Sequence, residues 1–308
     1  MVIGKKIKNR RIQLNMSQEE LAFKMGYKSR STIAKIESGI NKLSKNKLNK
    51  LCKFLYVDLD YFDEYSDDKI ELNNNVNVKK IAIILAGGKS TRNNLGIPNQ
   101  FISVLNKPIL AYTLDVYQNN PSINAIYIVC HKEWISYVTD YLNKNMYSKI
   151  KSIIPAGESG TESIKNSLEN INCNDNDIII FQEATRPMVN ANIISKIINY
   201  CNETSVAFRK TDDRIHFLVK NNNYEYIDRN NLILIESPEA YRYKIIKNIF
   251  GIALEKKHPL LESCVSMLMY NLGFFPRLVE INTNNLKIIT QEDVSIFETI
   301  LKKNYKIY

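Results

Sequence analysis

LAGGKSTRNNLGIPNQF, Leu85 to Phe101, begins where an apolar run ends and continues through two glycines, a lysine, two hydroxyls, an arginine and a later Pro-Asn-Gln. A glycine pair directly after a strand lets main-chain N–H groups point into one concavity and lets a phosphate approach the backbone. Gly87, Gly88 and the residues to Thr91 supply that pattern, and Arg92 adds a fixed cation. The run before it, IAIIL at 81–85, is followed by similar runs: AIYIVC at 125–130, KSIIP at 151–155 and DIIIF at 177–181. Each reads as a buried strand, and amphipathic segments near 108–118, 133–145, 161–171 and 191–201 alternate with them. That rhythm predicts an α/β domain with a mainly parallel sheet, helices on both faces and a site at the carboxyl ends of the strands. The segment 213–235, containing IHFLVKNNNYEYIDRNNLILI, breaks the alternation and reads as an inserted β-hairpin arm with an Asn-rich turn.

Ahead of this body the composition changes. Residues 1–56 hold fourteen Lys/Arg against three Glu, a balance of +11, while the rest of the chain holds 28 basic and 29 acidic side chains. The basic character of this 308-residue chain therefore belongs to its N-terminal segment, whose first candidate partner is an anionic polymer. Apolar positions at helical spacing, from Ile3 and Ile7 through Leu21, Ile33 and Ile36 to Leu51 and Leu55, predict several short helices there. The pattern stops in an acidic and then Asn-rich stretch, which divides the chain into 1–66, a linker at 67–78 and the body at 79–308. Five cysteines and three histidines show no metal-ligand spacing, so no zinc site is expected, and the odd cysteine count suits a reducing cytoplasm. No uncharged apolar run approaches the roughly 18 residues of a membrane helix.

In the basic head, MSQEELAFKMG at 16–26 and YKSRSTIAKIESGI at 27–40 carry the specific signal. Ser17 and Glu20 form a capping box, Gly26 ends that helix with a positive φ, and Ser31 is expected to cap the next. The pair resembles the Cro/C1-repressor (XRE) helix-turn-helix family, all-α and DNA-binding. The resemblance implies that Gln18 with Ser29, Arg30, Ser31, Thr32 and Lys35 faces the major groove. Lys28, Lys35 and the lysines from 42 to 50 would then meet phosphates.

In the body, AGESGTESIKNSL at 156–168, FQEATRPMV at 181–189, Lys210-Thr211, DRNNLILIESPEAY at 228–241 and NLKIITQEDV at 285–294 follow the glycine turn in order. This series resembles the cytidylyltransferases that activate 2-C-methyl-D-erythritol 4-phosphate and ribitol 5-phosphate, over about residues 79–305. It implies a Rossmann-like nucleotidyltransferase domain, a homodimer through the arm, and attack by a substrate phosphate oxygen on the α-phosphorus of CTP with release of pyrophosphate. The nucleophile of that reaction is already anionic, so cations and positioning carry the catalysis, with Mg2+ as cofactor in an active enzyme. Carried over by motif, Arg92 and Lys287 are catalytic. Ala86, Gly87, Gly88, Gly157, Ser163 and Glu183 lie on the nucleotide side, Glu183 also as the metal ligand. Arg186, Thr211 and Arg229 point to the substrate phosphate.

Departures from the family pattern are numerous. Ser90 replaces the third glycine of the turn, Asn99 the lysine of Pro-Lys-Gln, and Gly160 an arginine. Gln182-Glu183 stands for His-Asp, Lys210-Thr211 for Asp-Thr, Glu236-Ser237-Pro238-Glu239 for Gln-Thr-Pro-Gln, and Ser263-Cys264 for Thr-Asp, leaving Glu262 as the nearest carboxylate. These changes gather on the triphosphate and metal side. The leading reading is a DNA-binding regulator whose body binds CTP, another nucleotide or a polyol phosphate at a partly eroded site. A working cytidylyltransferase, with Lys89 or Lys107 covering for Asn99, and a purely structural dimerising body stand beside it.

Overall fold

The computed structural model describes residues 2–14, 16–41, 43–55, 78–89, 96–211, 216–220, 223–281 and 284–305. The linker expected at 67–78, apart from its last residue, and Lys42, Ser90, Thr91 and Arg92 lie outside the described residues. Two compact units divide the chain at residues 76 and 77.

The first unit is helical: α1 (Val2–Gln13), α2 (Gln18–Met25), α3 (Arg30–Glu37) and α4 (Lys45–Leu55). Ile7, Leu21, Met25, Ile33, Ile36, Leu51 and Leu55 meet in its core, as the helical spacing selected, whereas Ile3, also selected, is 41% exposed. The capping box forms, Ser17 Oγ accepting from Glu20 N–H at 3.0 Å and the Glu20 carboxylate accepting from Ser17 N–H at 2.6 Å. Gly26 ends α2 at φ 80°. The cap of α3 is Ser29, two residues before the expected Ser31: Ser29 is extended (φ −150°, ψ 141°) and its Oγ accepts from Ser31 N–H. A cap must be the last non-helical residue, and Ser31 already sits in the first turn.

A buried ion pair ties these helices. Arg11 donates from Nε and Nη2 to Glu37 at 2.5 and 3.1 Å and from Nη1 to the Met16 carbonyl at 2.7 Å, while the Gln18 amide donates to Glu37 at 2.8 Å. Both ends are nearly dry, with Arg11 8% and Glu37 7% exposed.

The second unit holds a seven-stranded sheet. In chain order its strands are β1 (Lys80–Ala86), β4 (Ala125–Cys130), β5 (Ile150–Pro155), β6 (Ile178–Glu183), β7 (Thr204–Lys210), β10 (Ile233–Arg242) and β11 (Leu278–Glu280), in the spatial order β11-β7-β10-β6-β1-β4-β5. Short pairs β2 (Ser103–Val104) with β3 (Lys107–Pro108), and β8 (His216–Lys220) with β9 (Asn223–Ile227), lie outside it. β1 pairs in parallel with both β4 and β6, so Ala86, Cys130 and Glu183 finish at one edge. Ala82, Ile84 and Ala86 pack with α5 (Ile109–Asn119) and α8 (Ala191–Asn199), while Ile81 and Ile83 on the opposite face are equally buried. That two-sided burial is why β1 reads as an uninterrupted apolar run. The remaining helices are α6 (Ile135–Lys144), α7 (Gly160–Glu169), α9 (Tyr243–Glu255), α10 (Val265–Asn271) and α11 (Gln291–Tyr305).

β10 is antiparallel to both neighbours, and its register shifts between Glu236 and Glu239. The hairpin β8–β9 thus extends from the turnaround between β7 and β10, and residues 233–235, assigned above to the arm, open β10 instead. This antiparallel return brings Glu236, Ser237 and Pro238 beside the end of β6.

Arg11→Ala strands the Glu37 carboxylate in the head's interior, at a cost of about 3–5 kcal/mol, whereas Arg11→Met with Glu37→Leu removes both charges and costs less. Amide hydrogen exchange on the full chain is expected to lose protection over α1–α4 in the single variant, regain much of it in the double variant, and leave the sheet amides unchanged.

Candidate functional site

At the carboxyl edge of the sheet lies a cleft of about 390 Å³ whose walls include Gly87, Gly88, Lys89, Asn99, Gln100, Gly157, Gly160, Ser163, Glu183 and Lys287. Its floor is the turn after β1. Gln100 clamps that turn, its side-chain amide donating to the Ala86 and Gly88 carbonyls at 2.8 Å each. Gly87 is required by close approach, since a Cβ there would lie 2.5 Å from the Ala156 Cβ, while at Gly88 the same position meets none of the described residues within 4 Å. The turn after β5 forms the facing wall: Ser163 Oγ accepts from Gly157 N–H at 3.0 Å and donates to the Ser159 carbonyl at 2.8 Å.

Gly160 has a packing reason as well as a chemical consequence. A Cβ on it would fall 2.2 Å from the Ser263 carbonyl oxygen, because the first turn of α7 is bonded to the 260–263 segment. Thr161 N–H donates to the Glu262 carbonyl at 2.9 Å, and Ser159 and Thr161 hydroxyls donate to the Leu260 carbonyl at 2.5 and 2.6 Å. No arginine fits at 160 without moving main chain. Glu262 itself is turned away, 3.2 Å from His258 Nε2 and bonded to the Asn271 amide at 2.8 Å.

Asn99 is equally committed. It is 5% exposed, and its amide donates to the Ile288 and Ile289 carbonyls at 3.2 and 2.9 Å. Asn99 thereby fixes the segment that carries Lys287, which is anchored further by Ile288 N–H on the Thr185 carbonyl and by Asp293 accepting from Ile289 N–H and Thr290 N–H at 2.9 Å. The lysine expected at 99 is thus replaced by a neutral fastener.

The charged centre is Glu183, at the end of β6. Its carboxylate takes hydrogen bonds from Lys287 Nζ and from Arg186 Nε, the latter at 2.6 Å. Burial pushes this carboxyl up, but the Arg186 and Lys287 cations outweigh it and hold the pKa below the usual carboxylate range. Arg186 also donates to the Asn285 carbonyl at 2.8 Å and lies 3.3 Å from Glu236 Oε2, an ion-pair distance without hydrogen-bond alignment. Arg209 closes the chain of charges on Glu236 at 2.7 Å.

The structure thus gathers Gly87, Gly88, Gly157, Ser163, Glu183 and Lys287 around one cleft, with Ala86 bonded just beneath it through its carbonyl. Arg186 sits behind Glu183, outside the lining. Thr211 is buried with its hydroxyl 3.5 Å from His216 Nε2, and Arg229 is exposed in the short turn before β10; neither lines the cleft. In the head, Lys28, Ser29, Arg30 and Ser31 are exposed at the start of α3 and Lys35 in its last turn, Thr32 is half-buried, and the Gln18 amide is spent on Glu37. Gln100, Asn285 and Asp293 lie within the quoted motif stretches, which assign them no role; each is a structural partner of the site, bonded to main-chain groups.

A family model described as 2-C-methyl-D-erythritol 4-phosphate cytidylyltransferase matches residues 80–303, and one described as helix-turn-helix matches residues 7–62. Over 228 residues the chain is 28% identical to the ribitol-5-phosphate cytidylyltransferase of Lacticaseibacillus paracasei, covering 72% of this chain and 97% of the relative. It is 32% identical to the 2-C-methyl-D-erythritol 4-phosphate cytidylyltransferase of Clostridium botulinum, covering 73% and 98%. The 4-diphosphocytidyl-2C-methyl-D-erythritol synthase structure from Anaerococcus prevotii superimposes with a TM-score of 0.63 at 20% identity, over 73% of this chain and 99% of that one, a likeness of fold.

Beside the irregularity in β10, Glu239 is 4% exposed and accepts from Ser266 Oγ at 2.5 Å and from Tyr241 OH at 2.9 Å. Burial raises its pKa, and the hydrogen bonds from Ser266 and Tyr241 do not offset it. A carboxyl whose folded pKa lies above its unfolded value of about 4.3 destabilises the fold increasingly as pH rises from that value toward the folded pKa. Glu239→Gln is therefore expected to raise the melting temperature, least near pH 4 and more at pH 7 to 8, as thermal denaturation across that range will read.

Proposed function

The chain belongs to the 2-C-methyl-D-erythritol 4-phosphate cytidylyltransferase family over residues 80–303, and from that premise we propose that it is a DNA-binding regulator whose body senses a nucleotide or polyol phosphate and turns it over poorly. The observation that carries this reading is Asn99: uncharged, buried and bonded to two main-chain carbonyls where the family pattern sets a lysine. Loss of one transition-state donor costs about 10²- to 10³-fold in rate, so the cleft keeps the means to bind phosphate and lacks part of the means to react.

The binding side rests on the glycine turn, on Ser163 with Gly157, and on Lys287 with Glu183. Arg186 acts by positioning: it holds Glu183 and the Asn285 segment and leaves contact with ligand to Lys287. Arg92 completes the turn by family position, and Thr211 and Arg229 receive substrate phosphate where two copies meet. The described residues contain no group of three or more possible metal ligands. A triphosphate brings its own Mg2+, which takes one or two carboxylates, and Glu183 is the carboxylate that would hold it here. The ion would neutralise charge on the phosphates.

The head serves DNA. Its charge of +11 and the exposed residues at α3, Lys28, Ser29, Arg30 and Ser31 at its start and Lys35 in its last turn, fit a helix laid in the major groove. Half-site recognition favours a dimer, and the hairpin offers a surface for a second copy, with Phe217, Val219, Tyr224 and Tyr226 exposed.

A second reading, a working cytidylyltransferase making a CDP-polyol, is favoured by the near-complete length over which the ribitol-5-phosphate enzyme aligns and by the retained Lys287. Pyrophosphate release with CTP, Mg2+ and a panel of polyol phosphates separates the two. Little release from the native chain and a gain of about 10²-fold or more in Asn99→Lys are expected; robust native turnover would establish the second reading. Binding to DNA selected from a random pool is expected to weaken linearly in log–log form as salt rises, and Arg30→Ala with Lys35→Ala to abolish most of it. Salt-independent retention would contradict a DNA-binding head.

A further inference from the structure

Phosphate in this cleft must be met by positive charge, and most of the neighbouring cations are already spent. Arg186 lies between Glu183 and Glu236. Lys287 is bonded to Glu183. Lys107 pairs with Asp115 on α5, its ammonium 4.5 Å from the centre of the Tyr112 ring, and it is absent from the cleft lining. Asn99 carries no charge and faces main-chain carbonyls.

Lys89 differs from each of these. It follows Gly88 directly, lines the cleft, and keeps a side chain 62% exposed. Its carboxylate partner is Glu158, across the cleft on the turn after β5, at 3.9 Å and itself 91% exposed. An exposed pair at that distance contributes about 0–1 kcal/mol, so a phosphate group displaces Glu158 readily. Among the described residues the main chain beside it is open as well, since none of them lies within 4 Å of the space a Cβ on Gly88 would occupy. Ligand phosphate can therefore reach the turn and the ammonium together.

We infer that Lys89 is a phosphate-binding cation of this cleft, supplying from the glycine turn the charge absent at Asn99. In the free protein it closes loosely on Glu158, and it exchanges that carboxylate for the phosphates of a nucleoside triphosphate. The inference rests on the proposed reading of the cleft as a nucleotide site.

Calorimetry on the full chain with CTP and with cytidine tests it, using Lys89→Ala, Lys89→Arg and, as a control remote from the cleft, Lys107→Ala. A charge-assisted contact to phosphate predicts CTP affinity about 10- to 100-fold weaker in Lys89→Ala, and within a few-fold of native in Lys89→Arg and Lys107→Ala, with cytidine affinity unchanged throughout. If the native chain binds CTP and Lys89→Ala binds it equally well, the role of Lys89 is overturned and the nucleotide site stands. Equal weakening toward CTP and cytidine overturns it too, because a cation that meets phosphate has nothing to offer the bare nucleoside. A native chain without affinity for CTP overturns the nucleotide site and this inference together.

Discussion

The Glu183 carboxylate sets the terms for the rest of the body. It stands at the end of a strand buried on both faces, where an unpaired anion would be costly, so cations must converge on it. Lys287 comes from the segment before α11 and Arg186 from the loop after β6, and Arg186 in turn faces Glu236 on β10, which Arg209 on β7 meets from the other side. One charge requirement thus joins β6, β7, β10 and the C-terminal segment at the edge where β1 also ends. The antiparallel return of β10 is what makes this possible, since it delivers Glu236 to that edge without a crossover.

Around this centre the departures from the family pattern divide into two physical kinds. Gly160 and Asn99 are locked: the first by a main-chain oxygen in the space of its Cβ, the second by two carbonyls that take its amide. Ser237 is a third adjustment of the same kind, its hydroxyl accepting from Glu183 N–H and from the Gln182 amide at 3.1 Å. Such residues have taken on structural duties, so restoring a charge at 160 means moving main chain. At 99 the surrounding carbonyls would also suit an ammonium, which is why Asn99→Lys is the more informative exchange.

Much of this architecture was legible in the residues. Periodicity located β1, β4, β5, β6 and their intervening helices because strands buried on both faces and amphipathic helices write opposite patterns. β10 was missed because ILIESPEAYR begins exposed beside the arm, carries two buried glutamates and crosses an irregular register, so no single period holds over it. The glycine turn and Lys287 were visible as motif positions and do meet at one cleft. The partners of Arg186 were not visible, since its contacts at 236 and 285 are distant in sequence and depend on the register of β10. In the head, Ser29 and Ser31 are both competent caps, and only the backbone angles at 29 decide between them.

The two units handle charge in opposite ways, and that contrast bears on function. The head buries the Arg11–Glu37 pair and Arg10, which donates to the Leu55 carbonyl, and exposes Lys28, Arg30 and Lys35 among others, so positive charge is open to any polyanion. The body is nearly neutral overall, and at the cleft it sets its cations against carboxylates: Arg186 and Lys287 on Glu183, and Lys89 on Glu158. Binding an anion at the head therefore needs no rearrangement of existing pairs, while binding one in the cleft proceeds by exchange: phosphate must outbid a carboxylate for its cation. Exchange is costlier at Glu183, a half-buried carboxylate held by two cations, and cheap at Glu158, where the pair is exposed. On the proposed reading, a ligand phosphate meets the turn after β1 first, and only a ligand able to compensate Glu183 draws Lys287 into contact, so that occupancy and reaction become separable steps.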